Sequence, residues 1–221
     1  MIILFLLKFC WAAPQDIDDK LRADLDVHTP FPTRVRALRT LGGIQAADAE
    51  ALLIAAASKD GDEIVRAEAI RALGARKTAP SGSVTAALIS ATQDHEPRVR
   101  GAAIASIRRR RDVKAAERLG DLAKADFWLF VRRDAAEAIG EICPAPGVKL
   151  LPWIVRNDKE DLDVQRQALA SFTRCQPAQA KPLLEEIILA RSKLKNIACA
   201  LLDRSSGLEE PVRVACKVNT K

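Results

Sequence analysis

Val65-Arg66-Ala67-Glu68-Ala69-Ile70-Arg71-Ala72-Leu73-Gly74 is the stretch whose reading decides the fold. The same phrase returns as Val131-Arg132-Arg133-Asp134-Ala135-Ala136-Glu137-Ala138-Ile139-Gly140. Looser copies bring alanines into register at Ala37, Ala69, Ala103, Ala135, Ala168 and Ala198, spaced 32, 34, 32, 33 and 30 residues apart. A period in this range marks stacked structural repeats. Counted from an anchor (Thr33, Val65, Val99, Val131, Val164, Leu194), apolar residues recur at offsets 0, 4, 5 and 8. That pattern is one stripe of a 3.6-residue helix, so each phrase predicts an amphipathic helix. Alanine at offset 4 in every copy predicts a close approach between helices.

A second, less regular helix is expected before each phrase, over 16–27, 46–57, 84–92, 114–125, 148–156 and 179–189. Gly42, Gly74 and Gly140 fall where a left-handed C-cap favours glycine. Pro80, Pro146 and Pro177 follow and punctuate the turn into the next pair. No stretch alternates like a strand, and tyrosine is absent. The reading is all-α: a right-handed α-solenoid of about six stacked antiparallel helix pairs, armadillo-like in type. It divides the chain into a signal peptide at 1–12, a repeat array at 13–203 and a C-terminal cap or tail at 204–221.

These residues resemble the HEAT-repeat family, in its short bacterial form also called the phycobilisome-lyase HEAT-like repeat. The hallmark resembles D-x-x-x-x-V-R-x-x-A-x-x-A-L-G; the second to fourth copies match it closely, and the likeness runs over about 15–203. The resemblance implies a platform for a protein partner rather than a defined chemistry.

Position +1 reads Arg34, Arg66, Arg100, Arg132, Gln165 and Lys195, which invites a basic-groove reading. Yet Asp60, Asp94 and Asp126 each stand six residues before Arg66, Arg100 and Arg132. A turn aspartate can pair with an arginine of its own or a neighbouring repeat through charge-assisted hydrogen bonds. The resemblance implies that such a ladder is structural, with ligand contact as the alternative.

The formal charge is +6, from 35 basic and 29 acidic residues, and much of the excess is the run Arg108–Arg111. The run is expected to end a helix as a solvated cluster suited to the dipole. Met1-Ile-Ile-Leu-Phe-Leu-Leu-Lys8-Phe-Cys-Trp-Ala12-Ala13-Pro14 is too short to span a bilayer and reads as a secretory signal cut after Ala12. Export to the periplasm or medium follows, with a mis-assigned start and a cytoplasmic chain as the alternative. Cleavage leaves Cys143, Cys175, Cys199 and Cys216, an even set. Helix axes stand about 8–10 Å apart and a disulfide needs Cα atoms within about 7 Å. A Cys143–Cys175 bridge therefore requires converging loop ends. Cys199 sits at offset 5 and reads as a buried thiol, its pairing with Cys216 being the alternative.

Some families that resemble this repeat are enzymes with recognisable signatures. Deoxyhypusine hydroxylase, a HEAT-like di-iron enzyme, carries His-Glu just after Val-Arg. Here those slots hold Val35-Arg36, Ala67-Glu68, Gly101-Ala102, Arg133-Asp134, Arg166-Gln167 and Asn196-Ile197. The two histidines, His28 and His95, cannot rebuild such a site. Phe127-Trp128-Leu129-Phe130-Val131-Arg132-Arg133 is similar to the W-x-x-R-R of DNA-alkylation-repair HEAT-like glycosylases, with one extra residue. Trp128 breaks a column otherwise held by Pro30, Asp62, Glu96, Asp161 and Arg191. It is either an exposed hot spot with Phe127 or a ring folded against Pro152 or Trp153. No phosphate loop, catalytic triad or metal-spaced carboxylate motif is present. The reading is a non-catalytic, exported scaffold without a cofactor or membrane span, contacting a protein through Phe127, Trp128, Arg133 and Arg166. The alternatives are a cytosolic nucleic-acid-binding or alkylation-repair-like protein, or a bilin-lyase-like accessory protein.

Overall fold

A computed structural model describes residues 17–77, 81–190, 192–202 and 210–217; the expected signal at 1–12, Pro80 and the segment 203–209 lie outside them. Among the described residues there are helices and turns and no strand. The repeats are α1 (Asp19–Ala23) with α2 (Phe31–Gly43), α3 (Ala47–Lys59) with α4 (Glu63–Ala75), and α5 (Gly82–Ala91) with α6 (Pro97–Arg110). In the fourth repeat the expected single helix over 114–125 is split into α7 (Val113–Ala116) and α8 (Leu119–Ala125), followed by α9 (Leu129–Ile142). Then come α10 (Ala145–Arg156) with α11 (Leu162–Cys175), α12 (Pro177–Leu189) with α13 (Lys195–Leu202), and a terminal α14 (Glu210–Lys217). The phrase helices α2, α4, α6, α9 and α11 stack successively on one another, and α14 lies on α12 and α13. This is an α-solenoid. Pro97 and Pro177 occupy first helical positions and Pro146 the second, where the missing N–H costs nothing.

The stripe at offsets 0, 4, 5 and 8 is the core. Ala37 to Ala198 are all buried, as are Val65, Val99, Val131, Val164 and Leu194 at the anchor. The departures are Thr33 and Cys199, half-buried in the first and last copies.

The expected role of Gly42, Gly74 and Gly140 as left-handed caps is corrected. All three lie inside their helices, and a Cβ on each would meet the next phrase helix. Such a Cβ would lie 3.2 Å from Ala72 Cβ at Gly42, 2.5 Å from Ser106 Cβ at Gly74 and 2.6 Å from Ser171 Cβ at Gly140. Offset 9 of one copy thus presses against offset 7 of the next. Helix α6 carries Arg108 at offset 9 and packs less closely on α9. The left-handed positions are filled instead by Arg111 (φ 50°) and Cys143 (φ 56°).

One edge of the stack is held by an arginine fork. Arg66 Nε and Nη2 donate to Asp94 at 2.9 and 3.0 Å, while Nη1 donates to the Asp60 carbonyl of its own turn at 2.9 Å. Arg100 repeats this with Asp126 at 2.7 and 2.9 Å and with the Asp94 carbonyl at 2.8 Å. Arg34 meets Asp60 in the same direction, and Arg132 meets Glu160, which stands one residue past the aspartate slot, itself held by Lys159. Each aspartate also accepts a backbone N–H two residues on, from Asp62, Glu96 and Trp128, which shapes the turn into its own phrase helix. Of the two alternatives for the pairing, the carboxylate takes the arginine of the neighbouring repeat, while the arginine of its own repeat reaches only its backbone carbonyl. Gln165 keeps only the carbonyls, of Val155 and Asn157, and the fork stops there. Burial pushes the Asp94 carboxyl up, but the Arg66 hydrogen bonds and charge and the Glu96 N–H outweigh it and hold it below the ordinary range.

The opposite edge uses different groups. Buried Arg76 donates to the Ile44 and Ala46 carbonyls of the preceding repeat, and Arg110 to those of Leu73 and Arg76. Arg108 pairs with Glu137 at 3.0 Å, and Arg111 donates to the Glu141 carbonyl at 2.8 Å. The run Arg108–Arg111 ends α6 as expected, with Arg109 and Arg111 exposed, but Arg108, Arg110 and Arg111 also bridge repeat junctions, where helix C-termini leave carbonyls open. In the next repeats Cys143 and Cys175 are bonded, their Cα atoms 5.5 Å apart. The loop ends converge because Gly140 lets α9 and α11 close up at this end. Cys199 is not a free thiol: it is half-buried and bonded to Cys216 of α14.

Two outcomes follow for stability. Gly74→Ala should cost about 1–3 kcal/mol because the added methyl overpacks a helix contact, whereas Gly43→Ala, with nothing within 4 Å, should be neutral or gain up to about 1 kcal/mol; equal effects in thermal melts would contradict the contact. Asp94→Asn strips the carboxylate from Arg66, whose side chain is 6% exposed, and should cost about 3–5 kcal/mol in urea denaturation at neutral pH. A carboxylate with a depressed folded pKa stabilises above its unfolded value, near pH 4, and the benefit is lost as pH falls through the folded value. The gap between wild type and Asp94→Asn should therefore shrink below about pH 4.

Candidate functional site

The face left open by the repeat is the outer surface of the phrase helices. Its apolar feature is Phe127-Trp128-Leu129-Phe130 at the turn into α9. Phe127 is 86% and Trp128 46% exposed. The Trp128 ring meets Phe127 edge-on at 5.8 Å and Phe130 at 6.1 Å between centroids. Of the two sequence alternatives, the ring is not against Trp153, which instead carries Lys124 Nζ 5.0 Å from its centroid. Trp128 is also the N-cap of α9 and makes no capping bond, whereas Asp62 and Asp161 in the same column accept N–H groups of their helices. A lost cap costs about 1 kcal/mol, so this turn gives up local stability for an exposed aromatic.

Arg133 and Arg166, the two arginines singled out in sequence, lie one helix apart. Arg133 pairs with Asp134 at 2.9 Å and Arg166 with Asp163 at 3.4 Å, and Asp163 also acts on Arg133. Half-exposed pairs of this sort are worth about 0–1 kcal/mol each, so they are readily exchanged for a partner's groups. Asp134 joins the two clusters, since it lines a groove of about 580 Å³ with Trp128, Phe130, Pro97 and Gly101. Asp60, Asp94, Arg66 and Arg100 stand in the ladder along the edge, whereas Asp126, which accepts the Trp128 N–H, and Arg132, which donates to the Phe127 carbonyl, tie the ladder to the aromatic turn.

Sequence reasoning missed the continuation of the groove. A second section of about 590 Å³ crosses α2, α4 and α6, floored by Gly42, Ala72 and Ala105 and rimmed by Arg39, Arg71 and Arg109. The signal was present at offset 6, which reads Arg39, Arg71 and Ala105, but only the stacking shows that these columns share one trough. A separate apolar hollow of about 560 Å³ lies between α11, α12 and α13, where Thr173 stands at offset 9 in place of glycine and faces Leu201. Among the described residues no cluster of His, Cys, Asp and Glu is placed to hold a metal ion, and no helix is long and apolar enough to cross a membrane.

The sequence matches HEAT repeats over residues 19–83 and 79–140, more than half of the chain. No curated protein matches it. The structure is similar to the complex of CpcE and CpcF of phycocyanin lyase from Nostoc sp. PCC7120, with 19% identity, 99% of each chain covered and a TM-score of 0.58. It is also similar to an engineered protein, with 20% identity over 90% of this chain and 92% of that one and a TM-score of 0.52. These likenesses carry the fold, and the repeat matches carry the family: this chain belongs to the HEAT-repeat family.

Proposed function

We propose that this chain is a non-catalytic scaffold that binds a protein partner through its phrase-helix face and works in the bacterial cell envelope after export. The observation that carries the binding role is the exposed Phe127-Trp128-Leu129-Phe130 turn, since clustered aromatics on an otherwise charged face anchor interfaces. Arg133 and Arg166 flank it with exchangeable charge. The phycocyanin lyase neighbour is itself a complex of two proteins, in keeping with a fold that docks partners. The absence of histidine from every His-Glu slot supports the non-catalytic reading. Export is supported by the apolar leader ending at Ala12 and by the pairing of Cys143 with Cys175 and Cys199 with Cys216, because disulfides persist in oxidising compartments. A bilin-lyase-like accessory role is the second reading, favoured by the likeness over 99% of both chains.

Capture from the native envelope extract, comparing wild type with Trp128→Ala, tests the proposal. The wild type should retain a partner that Trp128→Ala loses about tenfold or more, with unchanged circular dichroism, and the captured chain should begin at Ala13. Equal capture by both forms, or a mature chain still starting at Met1 in the cytosol, contradicts the respective half. Retention of a coloured, bilin-carrying protein would favour the second reading.

A further inference from the structure

We infer that the groove across α2, α4, α6 and α9 docks an extended partner segment that is acidic at one end and apolar at the other; this rests on the protein-binding reading above. The two sections of the groove share Arg71 and Ala105 and so form one trough. In the first, Arg39, Arg71 and Arg109 face a single carboxylate, Glu68. Glu68 already accepts from Arg39 at 2.6 Å and Arg71 at 3.4 Å. Three guanidinium groups against one carboxylate leave a surplus that two further carboxylates would neutralise.

All three rim cations are arginines, whose planar forks match carboxylates bidentately. The floor of Gly42, Ala72 and Ala105 carries no large side chain, so a partner backbone can lie low enough to reach the forks. At the other end Trp128 and Phe130 form an apolar wall where three carboxylates, Glu63, Glu96 and Asp134, outnumber the two cations, Arg71 and Arg98. These carboxylates repel acid, which sets the orientation: acidic residues over the arginines, apolar side chain on the rings. They also oppose a phosphodiester backbone, whose uniform charge would run the full length of the trough. Beyond Arg98 the neighbouring cations add no track for such a backbone, since Arg108, Arg133 and Arg166 are held by Glu137, Asp134 and Asp163.

The probe is a fluorescein-labelled peptide with a short glutamate block followed by leucine and phenylalanine, read by anisotropy against the intact chain. A peptide with lysines in place of the glutamates and a labelled single-stranded DNA serve as comparisons. The glutamate peptide should bind, weaken with added salt, and lose about tenfold in affinity with Arg71→Ala or Arg109→Ala, while the lysine peptide and DNA bind more weakly. Absence of glutamate-peptide binding, indifference to both arginine variants, or tighter binding of lysine peptide or DNA would overturn the proposal. If native partner capture depends on Trp128 yet ignores Arg71→Ala and Arg109→Ala, the scaffold reading stands and the acidic segment falls.

Discussion

The arginine fork at the first four repeat junctions is the constraint on which this molecule depends. A solenoid repeat cannot bury its apolar face alone, so its stability resides in what joins it to the next. Apolar stripes supply the attraction, but they do not by themselves set the spacing or direction of stacking. Arg34, Arg66, Arg100 and Arg132 do, each reading its own turn through carbonyls and the following turn through a carboxylate. Because these ions are mostly buried, an unpaired partner is costly, and the junction tolerates only the matched geometry.

The same constraint explains where the array is open. Close contact at Gly42–Ala72, Gly74–Ser106 and Gly140–Ser171 draws the phrase helices together at their far ends. That closeness brings Cys143 within bonding reach of Cys175. Where offset 9 is not glycine, the helices separate: Arg108 spans α6 to α9 by pairing with Glu137, and Thr173 borders the hollow beneath Leu201. The interaction surface is thus what the junctions leave unoccupied. Arginines at offsets 1 and 11 serve the junctions, buried or half-buried, whereas Arg39 and Arg71 at offset 6 and Arg109 at offset 10 line the trough.

The fold was legible in sequence because a repeated error-free register is hard to mimic: six alanines in phase, with the apolar stripe behind them, leave little besides stacked helices. The Asp94–Arg66 and Asp126–Arg100 ladder was legible as residue types, but not which neighbour each would choose. Gly74 and Gly140 were misread because a helix-terminal glycine usually supplies positive φ, and only stacking shows that Ser106 and Ser171 need the vacant Cβ position. Arg110 and Arg111 were misread for a related reason, since their acceptors are carbonyls, which a sequence does not distinguish. Trp128 stood out because it broke a column, yet the trough it closes is built from four helices and no single stretch of chain announces it.

A double-mutant cycle on Arg100 and Asp126 tests the central claim most directly. Urea denaturation of Arg100→Met, Asp126→Asn and the double variant gives their coupling free energy. A structural fork should yield about 1–3 kcal/mol of coupling, the double variant being far less unstable than the sum of the singles. Effects that add within about 0.3 kcal/mol would show that the two residues stabilise the array independently, and that the fork does not hold the repeats in register.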